Sequence, residues 1–203
     1  MNKNTQKTLK LVETALLTAI VLLMAYTPLG YLKTAGLEIT FIMIPVVVGA
    51  IVGGPSTGAF LGGVFGATSF IQCFGTSPFG ATLLGINPVL TFIVCVPTRI
   101  LAGFFAGLIA KAISKSGKLN ISATVASLAG PLLNTAFFMS ALVICFGQTE
   151  YIQGIMASLG ATNVFTFIAL FVGLQGLVEA GVCFVAASAV SMALQKALKR
   201  FKK

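Results

Sequence analysis

The sequence predicts an all-α integral membrane protein: a single membrane domain, residues 1–203, folded as a six-transmembrane-helix bundle with N- and C-termini cytoplasmic. Three observations lead there. Charged residues make up 8% of the chain, against roughly 25% in a soluble domain, too few to coat a water-facing surface. The apolar residues gather into six segments. Eleven of the thirteen Lys and Arg form three clusters at the ends of those segments.

The first segment, 9–26, follows Lys3, Lys7 and Lys10. A basic start before an apolar run also opens secretory leaders. Here the run is about 18 residues long and no small-x-small cleavage site follows it, so it reads as a retained helix. The second segment, 39–53, is short and stops at Gly53-Gly54-Pro55. The third, 55–74, begins on Pro55, where the missing N–H of a first helical residue costs nothing. The fourth covers 88–112, the fifth 121–146 and the sixth 163–194.

The charges orient these segments. With the N-terminus cytoplasmic, residues 27–38, 75–87 and 147–162 fall outside, whereas the Gly54 turn, Lys111–Lys115–Lys118 and the tail with Lys196, Lys199, Arg200, Lys202 and Lys203 fall inside. All three clusters then share one face, as the positive-inside rule requires, and an odd number of crossings would separate them. The outer loops 75–87 and 147–162 carry no Lys or Arg.

Composition removes several function classes. The net charge of +9 invites a nucleic-acid reading, but its placement at segment ends belongs to membrane topology. There is no His, and the acids are Glu13, Glu38, Glu150 and Glu179. A His-based general base or metal site is therefore impossible, and no cofactor is implied. With neither paired acids nor a recognisable nucleophile arrangement, an enzyme is not expected. Cys73, Cys95, Cys145 and Cys183 are far apart in sequence and read as small apolar packing residues.

Small residues recur at helical spacing in Gly49/Gly53, Gly58/Gly62/Gly66 and Gly103/Gly107, and again in Ala15/Ala19. In lipid, close backbone approach is a main source of helix association, so the glycine sets predict tight internal packing.

Ionisable groups at membrane depth are expensive and mark function. Arg99 lies about 16 Å into the fourth segment at 1.5 Å per residue. Asn134 is central in the fifth and Glu179 near the middle of the sixth, with Gln175 one turn earlier on the same face. Pro97 and Pro131 stand just before Arg99 and Asn134. Each removes a helix hydrogen bond, and broken backbone at depth is tolerated where it lines a cavity or is buried in protein. Asn87, Gln72 and Tyr31 lie nearer the outer rim. Two compatible readings follow for Arg99 and Glu179, a buried structural bridge or a polar pocket for a small solute. A proton or ion pathway is a third, though one acid and no His make a weak relay.

Several stretches resemble the substrate-binding S-components of energy-coupling factor (ECF) vitamin transporters. They are Thr-Ala-Leu-Leu-Thr-Ala at 14–19, Ile-Pro-Val-Val-Val-Gly-Ala-Ile at 44–51, Gly-Pro-Ser-Thr-Gly-Ala-Phe-Leu-Gly at 54–62 and Phe-Gly-Ala-Thr-Ser-Phe at 65–70. Gly-Ile-Asn-Pro at 85–88, Val-Pro-Thr-Arg at 96–99 and Gly-Pro-Leu-Leu-Asn-Thr at 130–135 continue the likeness, which covers nearly the whole chain. Within the family the chain looks most like the pantothenate group. Members of that group often have His just before the Ile-Pro, where Met43 and Ile44 stand here.

The resemblance implies a six-helix bundle in the bacterial plasma membrane that takes a vitamin, best pantothenate, from outside. Arg99 would meet its carboxylate and Asn134 its hydroxyl or amide groups, with Glu179, Gln175, Asn87, Gln72 and Tyr31 around them. It also implies a transmembrane coupling subunit docked on the first helix, where the family's A-x-x-x-A pair maps onto Ala15 and Ala19, and two cytoplasmic ATPases. This chain has no G-x-x-x-x-G-K-[ST] motif and is not itself the ATPase. A pyridoxine- or thiamin-related vitamin, or a self-contained carrier or channel, are the alternatives.

Overall fold

Caps, prolines and one left-handed glycine divide the apolar stretches into helices. The computed structural model describes residues 3–27, 30–33, 38–117 and 119–201, without the side chains of 3, 6, 31–33, 38–39, 174–175 and 198–201. In chain order the elements are α1 (Lys3–Ala25), β1 (Tyr31–Lys33), β2 (Glu38–Thr40), α2 (Met43–Gly53), α3 (Pro55–Gln72), α4 (Pro78–Ile86), α5 (Pro88–Ser114), α6 (Leu119–Phe146), α7 (Glu150–Ser158) and α8 (Val164–Phe201).

The α2–α3 turn is made by Gly54, whose φ of 87° is a left-handed conformation that suits a residue without Cβ. Pro55 then opens α3. Asn87 caps α5, its Oδ1 accepting from the backbone N–H groups of Val89 and Leu90 at 3.0 and 3.1 Å, with Pro88 as the first helical residue.

The structure differs from the sequence expectation in three places. Residues 39–42 open the second apolar stretch in strand β2 and a turn, and helix begins only at Met43. There β2 pairs antiparallel with β1, Tyr31 opposite Thr40 and Lys33 opposite Glu38, which gives this non-helical backbone its hydrogen-bond partners. The stretches 75–87 and 147–162, expected as loops, each contain a nine-residue helix. Their start signals are Ser77-Pro78 and Thr149-Glu150: the Ser77 and Thr149 hydroxyls accept from the N–H groups of Gly80 and Ile152, each at 3.4 Å. Finally, α8 is 38 residues long. At 1.5 Å per residue it reaches about 57 Å, well beyond the roughly 30 Å hydrocarbon layer.

Among the described residues, four helices are long and apolar enough to cross a membrane: α1 over Lys7–Ala25, α5, α6, and α8 over Gly176–Ala197. The chain is a membrane helical bundle. α2, with 11 residues, spans about 16 Å. It is instead the centre of the core, where Met43, Val46, Val47 and Val48 pack with Leu61, Phe65, Ala102, Cys183 and Ala187. A second apolar cluster, of Leu83, Val94, Met139, Leu142, Phe146, Ile152 and Phe167, joins α4 and α7 to α5, α6 and α8.

α3 and α5 run antiparallel with backbones nearly touching. A Cβ on Gly58 would collide with the Gly103 carbonyl, and one on Gly62 with the Arg99 carbonyl. A Cβ on Gly66 would stand 2.8 Å from Val96 Cα, and one on Gly107 2.6 Å from Pro55 Cα. The glycine sets of both helices form one seam, which fixes the height of Arg99.

Candidate functional site

Arg99, Asn134 and Glu179 come from three helices, α5, α6 and α8, and are 8%, 6% and 8% exposed, buried within the chain. Pro97 and Pro131 lie inside α5 and α6. The Arg99 side chain turns back along its own helix, so that Nη1 donates to the Val94 carbonyl at 2.8 Å and to Thr98 Oγ1 at 3.3 Å. Its guanidinium carbon lies 5.4 Å from the Phe65 ring centre and 4.7 Å from that of Phe138. Two aromatic faces therefore hold the cation where a carboxylate would normally do so.

Among the described residues no direct Arg99–Glu179 bridge forms. Glu179 lies within the electrostatic range of Arg99 and close to the Thr40 backbone of β2. Arg99 Nε, Asn134 Oδ1 and Glu179 Oε1 are all buried and have no hydrogen-bond partner among the described residues. Each such atom costs about 1–3 kcal/mol unless something bonds to it. Phe138 sits one turn beyond Asn134, on the same face of α6, and its ring touches Arg99. The result is a buried polar cluster on α5, α6 and α8, with Phe65 of α3 and Phe138 of α6 against the guanidinium, that offers a donor from one helix and acceptors from two others.

The rim residues behave differently. Gln72 is buried and its Nε2 donates to the Ala25 carbonyl at 2.6 Å, tying the end of α3 to the end of α1. Asn87 Oδ1 is engaged in capping α5. The side chains of Tyr31 and Gln175 lie outside the described residues. Sequence reasoning missed Phe65, Phe138, Thr98 and Thr40. Only Phe138 carried a signal, its one-turn spacing from Asn134.

On the opposite flank, Ala15 and Ala19 are exposed on α1. With Leu11, Leu22 and Phe60 they line a shallow apolar groove between α1 and α3. The neighbouring Thr14 and Thr18 satisfy their hydroxyls on the carbonyls of Lys10 and Thr14, each at 2.8 Å, which leaves the groove apolar.

Residues 9–191 match the family described as ECF transporter, substrate-specific component. The chain belongs to this family. As a substrate-specific component it is a membrane subunit that binds a small molecule for transport, in a family of transporter components and not of enzymes. It is also similar to the pantothenic acid transporter PanT of Lactococcus lactis subsp. cremoris (strain MG1363), 28% identical over 145 residues that cover 66% of this chain and 71% of that protein.

Proposed function

We propose that this substrate-specific component captures pantothenate from outside the cell and hands it to an ATPase-driven complex. The observation that carries the reading is that three of the buried polar atoms without a partner among the described residues, Arg99 Nε, Asn134 Oδ1 and Glu179 Oε1, come from three adjacent helices as one donor and two acceptors. Pantothenate offers the complement: a carboxylate for the Arg99 guanidinium, and two hydroxyls that donate to Asn134 Oδ1 and Glu179 Oε1. The aromatic faces of Phe65 and Phe138 fix the guanidinium plane and exclude water, which strengthens a charge-assisted contact. The likeness to a pantothenic acid transporter supports the same substrate. Calorimetry on the purified protein tests it: pantothenate binds, while pyridoxine and thiamin, which lack a carboxylate, do not. Tight binding of either, with none of pantothenate, would overturn the assignment.

The same reading includes six crossings with both termini cytoplasmic, so that β1–β2, α4 and α7 cover the outer side of the polar cluster. The groove beside Ala15 and Ala19 docks a helix of the transmembrane coupling subunit, which carries two cytoplasmic ATPases. α1 supports this, since 11% of its apolar window is buried in the chain against 44% for α5. Small residues on so bare a helix allow close approach by another. With Ala15→Trp and Ala19→Trp, the isolated protein keeps its pantothenate affinity and loses co-purification with the coupling subunit. Normal co-purification and uptake would sink the docking assignment.

A further inference from the structure

Two of the four cysteines, remote in sequence, meet in space. Cys73 caps the end of α3 and Cys95 lies on α5, one turn before Arg99 on the same face. Both are buried, and their sulfur atoms are 4.0 Å apart. A disulfide bond is about 2.05 Å long, so the sulfurs need approach by only about 2 Å.

The surroundings give the pair leverage. Gln72, next to Cys73, holds the end of α1 through the Ala25 carbonyl. The backbone of α4 rests on Cys73, since a Cβ on Gly80 would stand 2.6 Å from its sulfur. Val94, beside Cys95, accepts the Arg99 hydrogen bond through its carbonyl. The two thiols thus join the elements beside the polar cluster to the helix that carries the guanidinium.

We propose that Cys73 and Cys95 are a reversible dithiol–disulfide pair whose oxidation clamps α3, α4 and α5 together beside the polar cluster and slows substrate exchange. The last step rests on the proposed function of the cluster. The oxidant is a hydroperoxide, such as hydrogen peroxide. One thiol takes an oxygen atom to become a sulfenic acid and releases one water. The second thiol displaces hydroxide from that sulfur, forming the S–S bond and a second water. Two thiols are oxidised by two electrons and one peroxide is reduced to two waters. An external dithiol reverses the step by exchange.

The test treats the purified full-length protein in nanodiscs with hydrogen peroxide, then alkylates free thiols and maps peptides by mass spectrometry. The expected result is a Cys73–Cys95 linkage, with Cys145 and Cys183 still alkylated. Amide hydrogen exchange across α4 then slows at least tenfold, and dithiothreitol reverses both changes. Radiolabelled pantothenate leaves the oxidised protein at least tenfold more slowly than the reduced protein, and Cys73→Ser and Cys95→Ser abolish the difference. Cys73 and Cys95 that stay alkylatable, or a linkage that leaves α4 exchange unchanged, would overturn the clamp. Failure of the reduced protein to bind pantothenate overturns the substrate assignment instead, and thiol mapping with amide exchange still decides the clamp.

Discussion

Two faces of α5 meet their neighbours in opposite ways. Toward α3, Gly103 and Gly107 face Gly58 and Pro55 at backbone contact distance. This seam brings the two backbones together, and its energy comes from many close van der Waals contacts. On the side of α6 and α8, the same helix carries Arg99, whose Nε, like Asn134 Oδ1 and Glu179 Oε1, has no hydrogen-bond partner among the described residues. Hydrocarbon surroundings make that arrangement costly. The comparison separates two kinds of membrane packing: a seam of close backbone contacts, and a buried polar cluster three of whose atoms have no hydrogen-bond partner among the described residues. The two are linked, because Gly62 of the seam abuts the carbonyl of Arg99 itself. Seam packing therefore sets the position of the cation.

The largest effect is expected on the side of the polar cluster. Arg99→Ala should weaken pantothenate binding by about 2–5 kcal/mol, the usual loss when one partner of a buried charged contact is truncated. The protein should still insert and purify as a monodisperse species, because the seam is untouched. Unchanged affinity by calorimetry would remove Arg99 from the site.

The seam side should fail differently. Gly62→Val drives a branched side chain into the Arg99 backbone and should cost about 1–3 kcal/mol of stability through overpacking. It should also displace the guanidinium, so thermal unfolding and pantothenate affinity fall together. A variant with a lowered melting temperature and unchanged pantothenate affinity would break the link between the seam and the position of Arg99. A smaller effect is expected at Asn134→Ala, about 1–2 kcal/mol of binding energy, the worth of one hydrogen bond to a ligand hydroxyl. Its thermal stability should hold or rise without ligand, because one buried, unpartnered oxygen is removed. A clear loss of stability in the ligand-free protein would show that Asn134 serves the fold instead.

Much of the fold was legible along the chain because lipid imposes simple rules. Apolar stretches must close their backbone hydrogen bonds internally, which makes them helices. The glycine spacing in α3 and α5 announced close packing, and Arg99, Asn134 and Glu179 announced themselves by their cost at depth. The short helices α4 and α7 were missed although Ser77-Pro78 and Thr149-Glu150 mark their starts, because polar and glycine-containing stretches of this length read as loops. The start of the second apolar stretch was missed for another reason: β2 exists through its pairing with β1, a contact that local propensity does not encode.

By itself, the sequence determined a membrane protein of apolar helices, the small residues that pack them, and the polar residues that the bilayer would not otherwise tolerate. Tertiary structure alone decided what each polar residue does. Gln72 and Asn87 are engaged at helix ends, while Arg99 is held by Phe65 and Phe138 and makes no bridge to Glu179 among the described residues. It also decided that Cys73 and Cys95, 22 residues apart, lie sulfur to sulfur. The physical reason is that hydrophobicity and helical period act along one chain segment and can be read locally. A hydrogen-bond partner, a ring over a cation or a second thiol comes from another helix, and the register between helices is set by packing.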